Sequence, residues 1–206
     1  MSARQQTVQL AEVILDTQAE GPGRRAALWL QGCPLHCEGC CNPEMLSFSG
    51  GRRRQVRELV HEICAVHGLE GISLLGGEPT AQASACAALA GGVKSRGLSV
   101  MLFSGYTRAG LETRAQTEPA LAQLLAHTDL LVDGPYVAAL TQERERWIGS
   151  SNQVLHVLSD RYQRDDPRFA APNELEIRME AGALCINGWP RAAASLGVKD
   201  RARGSR

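Results

Sequence analysis

Three cysteines stand close together in the first quarter of the chain, at Cys33, Cys37 and Cys40. Their spacing, C-x3-C-x2-C, allows three thiolates to bind three irons of a cubane 4Fe–4S cluster and leaves the fourth iron without a protein ligand. An open iron can take part in chemistry, whereas a fully ligated cluster mainly carries electrons. The spacing therefore predicts a 4Fe–4S cluster whose metal ligands, and hence catalytic residues, are these three cysteines.

Two other interpretations of these cysteines stay open. A zinc site would need a fourth ligand, which Cys41, His36 or Cys64 could supply. Core packing on one face of a helix would also fit the spacing, although the glycines and prolines of this loop disfavour a helix. Side chains of neighbouring loop residues usually point apart, so we predict that Cys41 is not a ligand. The remaining cysteines are predicted to be small buried side chains: Cys64, Cys86 and Cys185.

Composition limits the class of protein. The chain has 206 residues with 22 basic and 22 acidic side chains, which suits one domain and gives no bias towards nucleic acid or an anionic membrane. No apolar stretch is long enough to span a bilayer, and Met1–Gln6 carries no signal-peptide core. An odd number of cysteines fits a reducing cytoplasm, so we expect a cytoplasmic protein.

Apolar runs alternate with segments of helical periodicity. Strands are predicted at 26–30, 72–75, 98–103, 130–132 and 154–158, and helices at 55–67, 81–90 and 118–126. This alternation predicts an α/β fold with a mostly parallel sheet and right-handed crossovers. A complete eight-unit barrel needs about 250 residues, so we expect a partial, open β/α barrel.

The predicted barrel core occupies residues 1–160, and a different pattern follows it. In the extension 161–198, two alternating runs around a turn at 180–182 predict a C-terminal β-hairpin. The charged end 199–206 is predicted to be disordered. Within the core, Arg52–Arg54 is predicted to be a solvated loop leading into a helix, with a docking patch for an acidic partner as the alternative.

Unusual residues follow the predicted strands. Besides the cysteine loop, they are the segments 76–79, 104–106 and 133–135, and a polar loop at 149–153 precedes the last core strand. Functional sites of parallel sheets lie at the carboxyl ends of the strands. The placement of these segments therefore supports a site at that edge independently of the cysteine spacing.

Five segments resemble, in the same order, those of radical S-adenosylmethionine (SAM) enzymes, and in particular the anaerobic ribonucleotide reductase activating proteins. These belong to the glycyl-radical enzyme activating enzymes, with pyruvate formate-lyase activating enzyme. The segments are 21–25, 32–43, 71–79, 104–106, and 129–136 together with 149–153. Three features depart from the family: Ile148 where it tends to have Arg, a cysteine at position 41, and the hairpin extension.

The resemblance implies the cofactors and their binding residues. It implies a 4Fe–4S cluster on the three cysteines and SAM bound through Gly76, Gly77 and Glu78, whose backbone carbonyls or carboxylate would accept hydrogen bonds from the SAM ammonium. Glycines there let a backbone approach a ligand closely. Ser104 and Asp133 are implied as additional cofactor-binding residues.

Each of these additional segments has a simpler interpretation. Ser104 and Tyr106 could hold the ribose or the carboxylate of SAM, or could form an ordinary turn with a core tyrosine. Asp133 could order the site or bind a cation, or could begin an Asp-Gly-Pro turn. The loop 149–153 could contact a substrate or partner, or be an ordinary polar turn.

The resemblance also implies an activity and partners. The protein would generate a 5′-deoxyadenosyl radical that removes a hydrogen from a glycine of a large glycyl-radical enzyme. A low-potential electron donor such as flavodoxin or ferredoxin would reduce the cluster. Two other functions stay open: a radical SAM enzyme that modifies a small molecule or peptide, and a non-catalytic iron–sulfur or zinc protein.

Overall fold

The structure is a computed structural model, and it describes residues 6–180 and 183–189. The strands are β1 (Thr7–Thr17), β2 (Arg25–Leu30), β3 (Arg52–Gln55), β4 (Gly71–Gly76), β5 (Ser99–Phe103), β6 (Leu130–Asp133), β7 (Val154–Val157), β8 (Leu175–Glu180) and β9 (Ala183–Gly188). The helices are α1 (Val56–Ala65), α2 (Ala83–Lys94), α3 (Arg108–Ala115) and α4 (Pro119–His127).

Seven strands form one sheet in the order β3-β1-β2-β4-β5-β6-β7. The central strands β2, β4, β5 and β6 are parallel, while β1 runs antiparallel between β3 and β2, and β7 runs antiparallel to β6. The prediction of an α/β fold with a mostly parallel sheet is confirmed. The carboxyl ends of the four central strands meet at one edge, and this edge carries the predicted site.

Alternating residues of the strands build two packing layers on opposite faces of the sheet. On one face, strand residues such as Leu28, Ile72 and Leu102 pack with residues from all four helices. On the other, Trp29 and Leu75 pack with Met45, and a further cluster gathers around Met101, Val132 and Trp147. The central strands are buried on both faces, which explains their nearly continuous apolar sequences.

The sequence prediction was wrong at the edges of the sheet. Arg52–Gln55 is a strand and not a loop, because the outermost strand of a sheet can keep charged side chains in water. The long strand Thr7–Thr17 was not predicted, since its polar residues lie among half-buried positions. Helix α3 was also missed, because Leu111 is its one buried residue and its apolar periodicity is weak.

The predicted C-terminal hairpin is confirmed, and its polar residues form hydrogen bonds with the end of β1 and the residue after it. The Glu176 carboxylate accepts a hydrogen bond from the Gln18 amide at 2.6 Å, and Arg178 donates to the Asp16 carbonyl at 2.8 Å. The predicted disordered end 199–206 lies outside the described residues, and the division at residue 160 stays a prediction. Within the described part of the chain, no helix is long and apolar enough to cross a membrane.

Candidate active site at the carboxyl edge of the sheet

The cysteine loop begins directly after β2 and is fixed at its start by the segment 42–51. The Gly32 amide donates to the Met45 carbonyl at 2.9 Å, and the Cys33 amide donates to the Leu46 carbonyl at 3.0 Å. The Gln31 side chain donates to the Ser47 carbonyl at 2.7 Å. Met45 is fully buried, so the segment that holds the loop is itself part of the core.

The middle of the cysteine loop turns tightly and contacts the segment after β6. His36 and Gly39 adopt left-handed conformations with φ of 49° and 73°. A Cβ atom on Gly39 would lie 3.4 Å from the Ala138 side chain and 3.5 Å from the Tyr136 ring. The loop therefore lies between segment 42–51 on one side and residues 136–138 on the other.

The three predicted ligands carry free thiols at the boundary of the core. Cys33 is buried, whereas Cys37 and Cys40 are half-buried. Burial raises the pKa of the Cys33 thiol. A hydrogen bond with the Cys41 thiol lowers the pKa of Cys40 to about 6, although burial acts in the opposite direction.

Cys41 follows Cys40 directly, and the pKa values of the two thiols depend on each other. Their interaction lowers the pKa of Cys40 and raises that of Cys41. The Asn42 amide also donates to the Cys40 sulfur, at 3.4 Å. Cys41 as a residue is exposed. The contact with Cys40 places Cys41 near the predicted ligands, and its role as a non-ligand stays a prediction.

The donor set fits a polynuclear cluster better than a single metal ion. No three His, Cys, Asp or Glu side chains within the described ranges lie close enough together to hold one metal ion. A tetrahedral zinc site with Zn–S bonds of 2.3 Å would need sulfurs about 3.8 Å apart. In a 4Fe–4S cluster each cysteine binds a different iron, so the sulfurs stand farther from one another. Cys33, Cys37 and Cys40 are three free thiols on one loop, which is the donor type that such a cluster takes.

The glycine pair at the end of β4 joins the predicted SAM segment to the cysteine loop. The Gly77 amide donates to the Leu30 carbonyl at 2.8 Å, and the Glu78 amide donates to the Gly32 carbonyl at 2.9 Å. A Cβ on Gly77 would lie 2.4 Å from the Gly32 oxygen. The absence of a side chain at Gly77 thus allows its backbone to lie close to the backbone of the cysteine loop. Its own carbonyl accepts no hydrogen bond from any described residue, and the residue is half-buried.

Glu78 connects the ends of β4 and β5. Its buried carboxylate accepts hydrogen bonds from the Thr80 amide and the Gly105 amide, both at 2.9 Å, and from the Ser104 hydroxyl at 3.1 Å. Burial raises the pKa of Glu78, and these hydrogen bonds counteract the rise. The carboxylate therefore already has protein partners, which leaves the backbone of this segment as the better acceptor for an ammonium group.

Ser104 and Tyr106 make the contacts of a structured turn. The Ser104 hydroxyl donates to Glu78 and accepts from the Tyr106 amide at 3.2 Å. The Tyr106 ring packs against the core, and the Arg114 guanidinium lies 4.6 Å from its centroid. These contacts favour the turn interpretation for Tyr106. Ser104 stays close to the proposed cofactor segment through Glu78.

Asp133 joins three elements at the end of β6. Its carboxylate accepts a hydrogen bond from the Arg108 amide at the start of α3, and its other oxygen lies 3.0 Å from Nε2 of His156 on β7. Asp133 is buried. The structure thus gives this residue an ordering role, and no sequence pattern had paired it with His156.

The loop 149–153 holds the segment that follows β6. The Gln153 side-chain oxygen accepts from the Gly149 amide at 3.0 Å and the Ser150 amide at 3.1 Å, and its nitrogen donates to the Gly134 carbonyl at 2.9 Å. Asn152 donates to the Pro135 carbonyl at 2.7 Å. Because residues 136–138 contact Gly39, this loop supports the cysteine loop from the side opposite segment 42–51.

Comparisons with known proteins agree with this arrangement. A family described as "4Fe-4S single cluster domain" matches residues 19–156. The anaerobic ribonucleoside-triphosphate reductase-activating protein of Vibrio cholerae is 35% identical over 145 residues, which are 66% of this chain and 89% of the relative. The protein of the same name from Salmonella typhi is 31% identical over 148 residues, which are 67% of this chain and 91% of the relative. A putative glycyl-radical enzyme activating enzyme of Haemophilus influenzae is 32% identical over 100 residues, covering 47% and 38%.

Proposed function

Because the chain belongs to the 4Fe-4S single cluster domain family, with relatives that are activating proteins of anaerobic reductases, we propose that it is a radical SAM activase of the anaerobic ribonucleotide reductase type. Its substrate in this proposal is a glycine residue of a large partner enzyme. The open β/α barrel predicted from the sequence and a cytoplasmic location belong to the same proposal.

Cys33, Cys37 and Cys40 would hold the cluster, since they are free thiols on a loop anchored at both sides. When bound, the cluster supplies the single electron that cleaves SAM into methionine and a 5′-deoxyadenosyl radical. The protein around it binds and orients the reactants and excludes water.

The observation that carries the proposal is the direct contact between the cysteine loop and the segment after β4. Two backbone hydrogen bonds, from Gly77 to Leu30 and from Glu78 to Gly32, set the position of one relative to the other. The Gly77 carbonyl, which accepts no hydrogen bond from any described residue, would accept one from the SAM ammonium. In this proposal Ser104 and Asp133 also contribute to cofactor binding, because they order the turns at the same edge of the sheet.

The proposal is tested on protein purified and reconstituted without oxygen. We expect a cluster with four irons, a change in the electron paramagnetic resonance spectrum of the reduced cluster on addition of SAM, and SAM cleavage. With its partner, the glycyl-radical enzyme of the same genome, the reduced protein should produce the radical doublet of a glycine α-hydrogen. Repeated turnover of a small molecule or peptide with no doublet on any such enzyme would replace the activase function by a different radical SAM activity.

A further inference from the structure

One side of the cysteine loop presents an exposed surface formed by Phe48 and Arg53, here called the basic edge. Phe48 is 57% exposed although it is a large apolar side chain, and Arg53 is exposed. We propose that the basic edge is the docking site of an acidic, low-potential electron-transfer protein that carries a flavin or iron–sulfur centre.

The sheet places the basic edge next to the cysteine loop. Arg52 pairs with Leu10, and Leu10 pairs with Leu30, the last residue of β2. Neighbouring strands lie about 4.8 Å apart, so the Arg52 backbone is about 10 Å from the strand end that leads into the cysteines. Since no other described strand pairs with the outer side of β3, a partner can approach the sheet there.

Phe48 and Arg53 lie on the same side of this edge. Arg53 is opposite Gln9 in the β1–β3 pairing, and the Gln9 side chain donates to the carbonyls of Phe48 and Gly50. A Cβ on Gly32 would meet the Phe48 ring at 2.4 Å, so this ring covers the residue next to Cys33. An apolar side chain over the cluster loop with a cation beside it matches the small, charge-steered interfaces of transient electron-transfer complexes.

The local charge is suited to an acidic partner. The chain as a whole has equal numbers of acidic and basic residues, yet three consecutive arginines occupy β3. Arg54 is paired with Glu62 of α1. Glu44 is the single acidic residue between Cys41 and Arg52. Charged side chains on a sheet edge also prevent aggregation, and that role alone would not depend on the charge of a redox partner.

The inference rests on the proposed function, because the radical reaction requires a reduced cluster. In the docked complex one electron leaves the reduced flavin or iron–sulfur centre of the donor, which is oxidised by one electron. The same electron would enter the oxidised cluster that Cys33, Cys37 and Cys40 would hold. No bond forms or breaks in this step, so the docking surface needs proximity and orientation alone.

The test measures cluster reduction in the reconstituted full-length protein by anaerobic stopped-flow absorbance. The donor is an acidic flavodoxin in its hydroquinone form, and dithionite serves as a small reductant that needs no docking site. The variants are Arg53→Glu and Phe48→Ala. The matched control is Arg96→Glu, which reverses an exposed arginine between α2 and the amino end of β5, away from the carboxyl ends of the central strands.

We expect Arg53→Glu to lower the second-order rate constant with flavodoxin about tenfold at low ionic strength. Phe48→Ala should lower it as well, and Arg96→Glu should leave it unchanged. Rising salt should slow the wild type and remove most of the difference. Dithionite should reduce all four proteins equally.

Equal flavodoxin rates for Arg53→Glu and wild type, or a wild-type rate that salt does not change, would overturn the docking site. If Arg53→Glu does not bind iron, the rate constant of Arg53→Gln with flavodoxin and the salt dependence of the wild type test the docking site instead. Failure of the proposed function has a different signature: with dithionite as reductant, the wild type would hold no cluster or would not cleave SAM.

Discussion

The backbone of Gly77 lies against that of Gly32, so closely that a Cβ on Gly77 would be 2.4 Å from the Gly32 carbonyl oxygen. Position 77 therefore controls the cysteine loop as well as the proposed SAM segment. Neither backbone can move without disturbing a hydrogen bond, because the Glu78 amide donates to this same oxygen at 2.9 Å.

Gly77→Ala is expected to displace the cysteine loop. Overpacking against a backbone costs about 1–3 kcal/mol, and we expect the variant to be less stable and to retain less iron after reconstitution. The measurement is urea unfolding together with iron analysis. Gly91→Ala is the control, since its Cβ would meet at 3.0 Å the movable side chain of His127. Full iron content in Gly77→Ala would show that the contact does not position the cysteines.

Single replacements should distinguish the three predicted ligand cysteines from the neighbouring Cys41. Cys33→Ala, Cys37→Ala and Cys40→Ala should each lose the cluster, because one iron more than in the wild type would lack a protein ligand. Cys41→Ala should retain it despite the hydrogen bond with Cys40. Iron content and visible charge-transfer absorption after anaerobic reconstitution give the answer. Loss of the cluster in Cys41→Ala would identify Cys41 as a ligand.

Gln153→Leu is expected to loosen the segment that supports the cysteine loop from the β6 side. The change leaves two amides and one carbonyl without their present partner. Hydrogen exchange in 134–153 should become about tenfold faster, with lower glycyl-radical yield. Gln163→Leu replaces an exposed glutamine as the control. Unchanged exchange in Gln153→Leu would mean that the hydrogen bonds of Gln153 are dispensable.

Asp129 should make stability depend on acid pH. Burial raises its pKa, but hydrogen bonds from Lys94, Ser159 and the Val100 amide outweigh burial and bring the pKa below 3.8. The ionised form is therefore bound more strongly in the folded state, and its contribution is present above pH 3.8 and lost as the pH falls through the folded pKa.

The corresponding variant is Asp129→Asn, which should lower the unfolding free energy at pH 7 by about 1–3 kcal/mol. Between pH 5 and 3 it should lose less stability than the wild type. The measurement is urea unfolding of cluster-free protein across this pH range, because an iron–sulfur cluster would complicate the unfolding curves at acid pH. Parallel pH profiles for the two proteins would contradict the sign of the shift.

The local sequence was sufficient to predict the candidate ligands and most of the elements. Cys33, Cys37 and Cys40 lie within one loop, so their spacing alone predicted the ligand set. The strands at the centre of the sheet and the C-terminal hairpin were predicted because their periodicity is a property of neighbouring residues. Hydrophobic burial on both faces made the central strands recognisable, whereas the charged edge strand Arg52–Gln55 had no such signal.

Only the tertiary structure decided which residues meet. Glu78 and Gly105 are 27 positions apart, and Asp133 and His156 are 23 apart, so no local pattern indicates either pair. Arg25 is another example: sequence patterns place arginine in water, yet its guanidinium is buried and donates to Ser73, Ser99 and Tyr162. Such contacts depend on where the crossover connections between parallel strands bring distant segments together. A buried polar group is stable only when such segments supply its hydrogen-bond partners.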